Sequence, residues 1–172
     1  MNYKKKDLGK RLETIVESAN ITYYFRDLAW IEKQEVQKKY VNGRLAYTKK
    51  GAPDFMGTVS GGRSVAFDCK STKGKNLPLK NIMDRPHQLQ QLTKQHKLGG
   101  IAFYLVGFED LNKYFILTIP DLERFLATNG RKSIPLDYFK REVRESTDNC
   151  LDYLAPFHIK GGQSNDYKTH AL

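Results

Sequence analysis

The chain has 172 residues, a length for one domain, and its 40% apolar and 12% aromatic content is enough to bury a core. A formal net charge of +10 favours a polyanionic partner, nucleic acid ahead of an anionic membrane surface, because no strongly amphipathic basic helix stands out. No stretch is long and apolar enough to span a bilayer, the basic start over residues 1–7 has no apolar run behind it, and two cysteines make neither a disulfide framework nor a zinc site. A cytoplasmic protein is expected.

Residues 7–20 read as a helix, with Leu8, Leu12, Ile15 and Val16 at helical spacing, Asp7 placed to cap its start and Glu13 beside the stripe. Residues 23–31 are apolar and aromatic, a candidate strand. Residues 32–51 turn basic: Lys33, Lys38, Lys39, Arg44, Lys49 and Lys50, with Tyr40 and Tyr47 interleaved and Asn42-Gly43 as a hairpin turn signal. A projecting basic hairpin or stalk is expected, with a solvated loop as the alternative. A second hairpin runs from Asp54 to Lys70 and turns at Ser60-Gly61-Gly62. Residues 71–85 read as a polar, lysine-rich loop that includes Lys73 and Lys75. Pro86 opens a helix that Gly99-Gly100 closes, with Leu89 and Leu92 inward and Gln88, Gln91 and Gln95 on other faces. The apolar run 101–108 suits a central buried strand. Residues 113–119 form another strand, Pro120-Asp121 opens a short helix through Leu126, and 134–143 is weakly patterned. Together these predict an α/β domain over 1–160, a mixed sheet with central strands flanked by helices, carrying the basic insertion at about 32–51. Residues 161–172 are expected to form a disordered tail.

The chemistry concentrates in the second hairpin, where register decides what faces what. Side chains alternate along a strand. A two-residue turn at Gly61-Gly62 would put Asp54 opposite Cys69 and split the carboxylates between faces. A three-residue loop Ser60-Gly61-Gly62 pairs Val59 with Arg63 and puts Asp54 opposite Asp68. Both acids then share a face with Lys70, while Val65, Phe67 and Cys69 pack on the other. Converging carboxylates hold Mg²⁺, which can activate a water and offset the charge that builds on a phosphodiester under attack. Asp54 and Asp68 are the expected ligands, with the Cys69 backbone carbonyl between them and Glu13 as a third acid. Lys70 would position the water or stabilise developing charge. Cys69 itself is expected to be a small buried hydrophobe. A lone Asp-x-Lys is more often a solvated ion pair. The upstream Pro53-Asp54, the apolar framing of Val65-Ala66-Phe67 and the basic context raise this one. Read singly, Gln88 is a surface helix residue and His87 a structural or DNA-facing one; His96, His158 and His170 lack metal-ligand spacing.

Taken in order, these pieces resemble the RecU-type Holliday-junction resolvases of the PD-(D/E)xK nuclease superfamily. Gly9-Lys10-Arg11-Leu12-Glu13 is similar to the family's first-helix motif and Pro53-Asp54-Phe55-Met56-Gly57 to its aspartate-aromatic-x-Gly element. Phe67-Asp68-Cys69-Lys70-Ser71-Thr72 resembles the catalytic strand. Leu77-Pro78-Leu79-Lys80-Asn81-Ile82 and His87-Gln88 resemble the entry to the next helix, and Gly99-Gly100-Ile101-Ala102-Phe103 the following strand. The resemblance covers about residues 7–127. It implies a restriction-endonuclease-like core and a homodimer that cuts two strands of a four-way DNA junction with Mg²⁺, Mn²⁺ substituting. It also implies that the 32–51 segment is a stalk entering the junction centre. Lys38, Lys39, Arg44, Lys49, Lys50, Tyr47, Lys73, Lys75, His87 and Gln88 are the expected DNA contacts, Arg44 being nearest to the family's stalk arginine and the tyrosines suited to stacking on unpaired bases. Recombination proteins are possible partners. The sequence departs from the family in three ways: Asp68 replaces the usual glutamate, the stalk is short with no proline-rich entry, and the chain is compact, as in a phage version. Two other functions compete: a restriction or repair nuclease of the same superfamily, which would carry a long specificity region absent here, and a binding module with a vestigial site.

Overall fold

A computed structural model describes residues 3–35, 38–41, 44–47, 52–128, 130–143 and 150–160. Helix α1 (Tyr3–Phe25) runs past both predicted ends. Asp7 lies inside it and so does not cap it, and residues 23–25 are its last turn rather than part of a strand. The apolar stripe explains the extension: Leu12, Val16, Ala19 and Tyr23 keep the helical period and are all buried. The Tyr23 hydroxyl is held at depth, donating to Asp152 Oδ1 (2.9 Å) and accepting from the Leu154 N–H (3.1 Å). Asp27, at φ 53°, reverses the chain, and strand β1 (Ala29–Lys33) follows.

The basic segment forms its own antiparallel pair, β2 (Lys38–Val41) and β3 (Arg44–Tyr47), with Lys38 opposite Tyr47 and Val41 opposite Arg44. That register leaves Asn42-Gly43 between the strands, where the turn was expected. Asn42, Gly43, Lys49, Lys50 and the tail at 161–172 lie outside the described residues.

Strands β4 (Phe55–Val59) and β5 (Ser64–Thr72) come next, then the short β6 (Asn76–Pro78), α2 (Lys80–Met83) and α3 (Pro86–Lys97). β7 (Ile101–Phe108), β8 (Lys113–Thr118), α4 (Ile119–Thr128), β9 (Ser133–Pro135) and β10 (Arg141–Val143) complete the order. Six strands make one sheet in the order β1-β4-β5-β7-β8-β10. Only β5 and β7 run parallel, and α3 is the crossover between them. This is the mixed, helix-flanked sheet that the sequence predicts.

Residues 71–85 are not the loop expected. β6 pairs antiparallel with β9, Leu77 facing Ile134, and both side chains are fully buried. The apolar anchors Leu77, Leu79 and Ile82, interleaved with lysines, hold this segment down where its mean polarity suggests solvent. The same pairing gives the weakly patterned 134–143 its structure.

Both faces of the sheet are covered. On the α1 side, Phe55, Phe67 and Phe103 stack in a row with ring centroids 5.1 and 4.7 Å apart, against Leu12 and Val16. On the other side, Ala66, Tyr104 and Val106 meet Leu92 of α3 and Leu122 and Phe125 of α4. β7 is buried along its whole length, as a central strand with two covered faces must be. Among the described residues no helix is long and apolar enough to cross a membrane.

Gly57 lets β1 close on β4. A Cβ there would stand 2.0 Å from the Trp30 carbonyl oxygen, a backbone atom that cannot turn aside. Gly57→Ala is expected to cost about 3 kcal/mol of unfolding free energy in a urea titration; an unchanged midpoint would mean that β1 lies farther from β4 than described.

Candidate active site

The β4–β5 turn sets the site. The Val59 N–H donates to the Arg63 carbonyl (2.9 Å) and the Gly62 N–H to the Val59 carbonyl (3.0 Å), closing the three-residue loop Ser60-Gly61-Gly62. Gly61 and Gly62 take φ 87° and 81°, which glycine adopts at little cost. The loop places Phe55 opposite Phe67 and therefore Asp54 opposite Asp68, the register the chemistry requires. A slip of one residue would turn Asp68 and Lys70 into the aromatic row.

Beyond Phe55 the two strands are joined by side chains. The Asp54 N–H donates to Asp68 Oδ1, and the Cys69 N–H donates to Asp54 Oδ2, each at 2.9 Å. Lys70 Nζ donates to Asp68 Oδ2 at 2.6 Å, leaving Asp68 with no exposed surface. Burial, first, and the Asp68 charge, second, push the Asp54 carboxyl up to about 7, against the Cys69 N–H and Lys70; Glu13 adds to the rise. Cys69 packs into the α1 core as expected, and burial followed by the nearby carboxylates drives its thiol pKa up.

Glu13 reaches the same open cleft from α1, together with Asp54, Cys69 and Lys70. Its carboxylate pairs with Lys33 at 3.0 Å, and Lys33 also bridges Glu17. Among the described residues no three His, Cys, Asp or Glu side chains gather closely enough to enclose a metal ion. The acids are a tight pair, Asp54 and Asp68, with Glu13 across the cleft.

Gln88 is not the surface residue expected. It is buried, its Oε1 lies 3.5 Å from Lys70 Nζ, and its Nε2 donates to the Ala52 carbonyl (3.3 Å). The signal was its position four residues before Leu92, at the head of the buried stripe of α3. His87, one residue earlier, is exposed, as are Lys73 and Lys75. Lys38, Lys39, Arg44 and Tyr47 sit on the separate β2–β3 pair.

Several residues of the site were not foreseen. Ser71, Lys80, Asn81, Asp84 and Arg85 also line the cleft. Ser71 Oγ donates to Glu109 Oε1 (2.9 Å), and Arg11 Nη1 stands 3.6 Å from Glu109 Oε2, so a buried carboxylate ties α1 to the ends of β5 and β7. These three are brought together only by the fold, and no local pattern announces them. Lys70 Nζ lies 5.8 Å from the Tyr104 ring centroid, within reach of a cation–π contact. Among the described residues the buried Tyr104 hydroxyl has no hydrogen-bond partner.

Two aspartates locked across a hairpin end, a lysine two residues on, and a mixed sheet between helices define a nuclease core of the PD-(D/E)xK type. The chain belongs to the RecU family: the family model described as Recombination protein U matches residues 7–158. A protein of Mycoplasmopsis pulmonis named Holliday junction resolvase RecU is 29% identical over 153 residues, 87% of this chain and 93% of that one. Proteins of the same name from Oenococcus oeni and Pediococcus pentosaceus are 30% and 32% identical, covering 90% and 78% of this chain and 85% and 73% of theirs. The solved structure of Hjc, a Holliday junction resolvase of Archaeoglobus fulgidus, superposes with a TM-score of 0.48 at 14% identity over 74% of this chain and 90% of that one. The family assignment rests on the sequence relatives.

The raised Asp54 pKa fixes a pH dependence. The folded protein keeps a proton up to about 7 that the unfolded chain releases near 3.8, so this group's contribution to stability falls as pH rises between those values. Without metal, Asp54→Asn is expected to melt above the wild type at pH 8, with the gap closing by pH 5.5. A gap independent of pH in thermal melts would refute the assignment.

Proposed function

We propose that the chain is a Mg²⁺-dependent endonuclease that resolves four-way DNA junctions by paired phosphodiester cleavage, acting as a homodimer in the cytoplasm. The observation that carries this reading is the locked Asp54–Asp68 pair with Lys70 beside it, in a basic chain of the RecU family whose named relatives are Holliday junction resolvases.

The residues present fit a divalent cation. Asp54 and Glu13 line one cleft, Asp68 lies directly behind Asp54 with Lys70 bonded to it, and Asp54 holds a proton to about 7 because it is buried, first, and stands beside the Asp68 charge, second. Mg²⁺ keeps much of its water and needs only one or two carboxylates plus substrate phosphate, so a closed protein cage is not required. Asp54, Asp68 and the Cys69 backbone carbonyl would hold it, with Glu13 facing from α1; Mn²⁺ would substitute. When bound, the cation supplies charge neutralisation at the phosphate and a more acidic water.

The chain's own residues supply the rest. Lys70, held between Asp68 and Gln88, orients the attacking water or meets the charge that develops on the phosphate oxygens. Gln88 ties that lysine to the Ala52 carbonyl, two residues before Asp54. Glu109, through Ser71 and Arg11, keeps the Glu13-bearing helix against β5. Asp68 is one methylene shorter than the family's glutamate and is drawn in by the Asp54 N–H. The β2–β3 hairpin, with Lys38, Lys39 and Arg44 and the following Lys49 and Lys50, is the stalk that enters the junction, where Tyr47 stacks on unpaired bases. Lys73, Lys75 and His87 face phosphates. One Asp54–Asp68 pair serves one cut, and two strands to cut call for a second copy. Recombination proteins are the expected partners.

The test is cleavage of a labelled four-way junction beside linear duplex, in Mg²⁺ or EDTA. Symmetric nicks near the crossover are expected in Mg²⁺ only, and Asp68→Asn should bind the junction without cutting it. Equal cutting of linear duplex, or cutting in EDTA, would sink the proposal. Gln88→Ala is expected to lower kcat about 10- to 100-fold by releasing Lys70, with KM little changed; an unaltered kcat would remove Gln88 from the mechanism.

A further inference from the structure

Six cations from two stretches of the chain, 73–85 and 131–132, are carried by segments that one strand pairing brings together beside the cleft. Lys73 and Lys75 follow β5, Lys80 is on α2, Arg85 precedes α3, and Arg131 and Lys132 precede β9; all six are exposed. The β6–β9 pairing joins them. The Leu136 N–H donates to the Lys75 carbonyl (2.9 Å) at one end of the ribbon and the Leu79 N–H to the Lys132 carbonyl (3.0 Å) at the other. Leu77 and Ile134, opposite each other and fully buried, fasten the ribbon to the core. The cations therefore stand on a fixed base.

Among the described residues none of the six forms an ion pair. Of the acids nearby, Asp110 is engaged by the Gly74 N–H (2.9 Å), and Asp84 and Asp137 are exposed. Lys80 and Arg85 also line the cleft that holds Glu13, Asp54 and Lys70, so the basic surface continues out of it. From Lys75 to Leu79, the partner of Lys132, the ribbon is about 13 Å long, roughly the rise of four base pairs.

We propose that the β6–β9 ribbon is a second DNA-contact surface, which takes the sugar–phosphate backbone of a duplex arm leaving the cleft, with Arg131 and Lys132 as its outer contacts. The inference rests on the nuclease reading of the cleft, but it concerns duplex DNA, not the junction centre. The experiment is equilibrium binding in EDTA, to a four-way junction and to a linear duplex of one arm's sequence, across a salt series. Arg131→Ala/Lys132→Ala is expected to weaken both about tenfold and to make the slope of log K against log salt shallower by about 2, roughly one unit per lost phosphate contact. Arg131→Lys/Lys132→Arg should restore both, and thermal melts should match the wild type. Affinity within twofold of wild type with an unchanged slope on both DNAs would overturn the proposal. So would a loss that the charge-conserving variant shares. A protein that shows no junction preference would defeat the resolvase reading while leaving the ribbon to be judged on the linear duplex.

Discussion

Two backbone amides hold the candidate site of this molecule together. The Asp54 N–H reaches across to Asp68 and the Cys69 N–H reaches back to Asp54, each at 2.9 Å. Each carboxylate is thus held by the strand opposite its own, and neither can swing away without abandoning a hydrogen bond from a part-buried backbone amide. Everything else in the site follows from that crossing. Lys70 is aimed by Asp68 and Gln88, and the cleft opens where the strands stop pairing. The crossing exists because a three-residue glycine loop fixes the register, which the row of stacked phenylalanines on the other face then enforces.

The sheet gives the site its stiffness. β5 carries Asp68 and Lys70 toward α3 while its alternate residues Val65, Phe67 and Cys69 serve the α1 core. One strand therefore packs both layers and also carries Asp68 and Lys70 of the candidate site. Glu109 extends this economy: a single buried carboxylate bonds Ser71 of β5 and pairs with Arg11 of α1. The helix that presents Glu13 cannot drift from the strand that presents Asp68 without breaking it.

How much of this was legible depends on whether the signal was local. The hairpin register could be argued from loop length and alternation alone, and α3, β7, β8 and α4 were legible because proline, glycine and unbroken apolar runs mark them. α1 was cut short because the aromatic Tyr23 and Tyr24 look like strand residues; a tertiary partner, the 151–154 segment, keeps Tyr23 helical. β6 was hidden because it is three residues long among lysines and glycine and its strand partner lies far along the chain. Of the site, Asp54, Asp68 and Lys70 carry a motif. Gln88 could have been caught by its spacing from Leu92. Ser71, Glu109 and Arg11 could not, since their association is a product of the closed sheet.

The Lys70–Asp68 bond has a consequence for how the protein is assembled. The most deeply buried acid already has a counter-charge two residues away on its own strand. The core around it closes with its own ammonium as the neutralising ion, unlike small metal-nucleated domains that stay unfolded until their ion arrives. The fold can thus close around Asp68 with no bound cation.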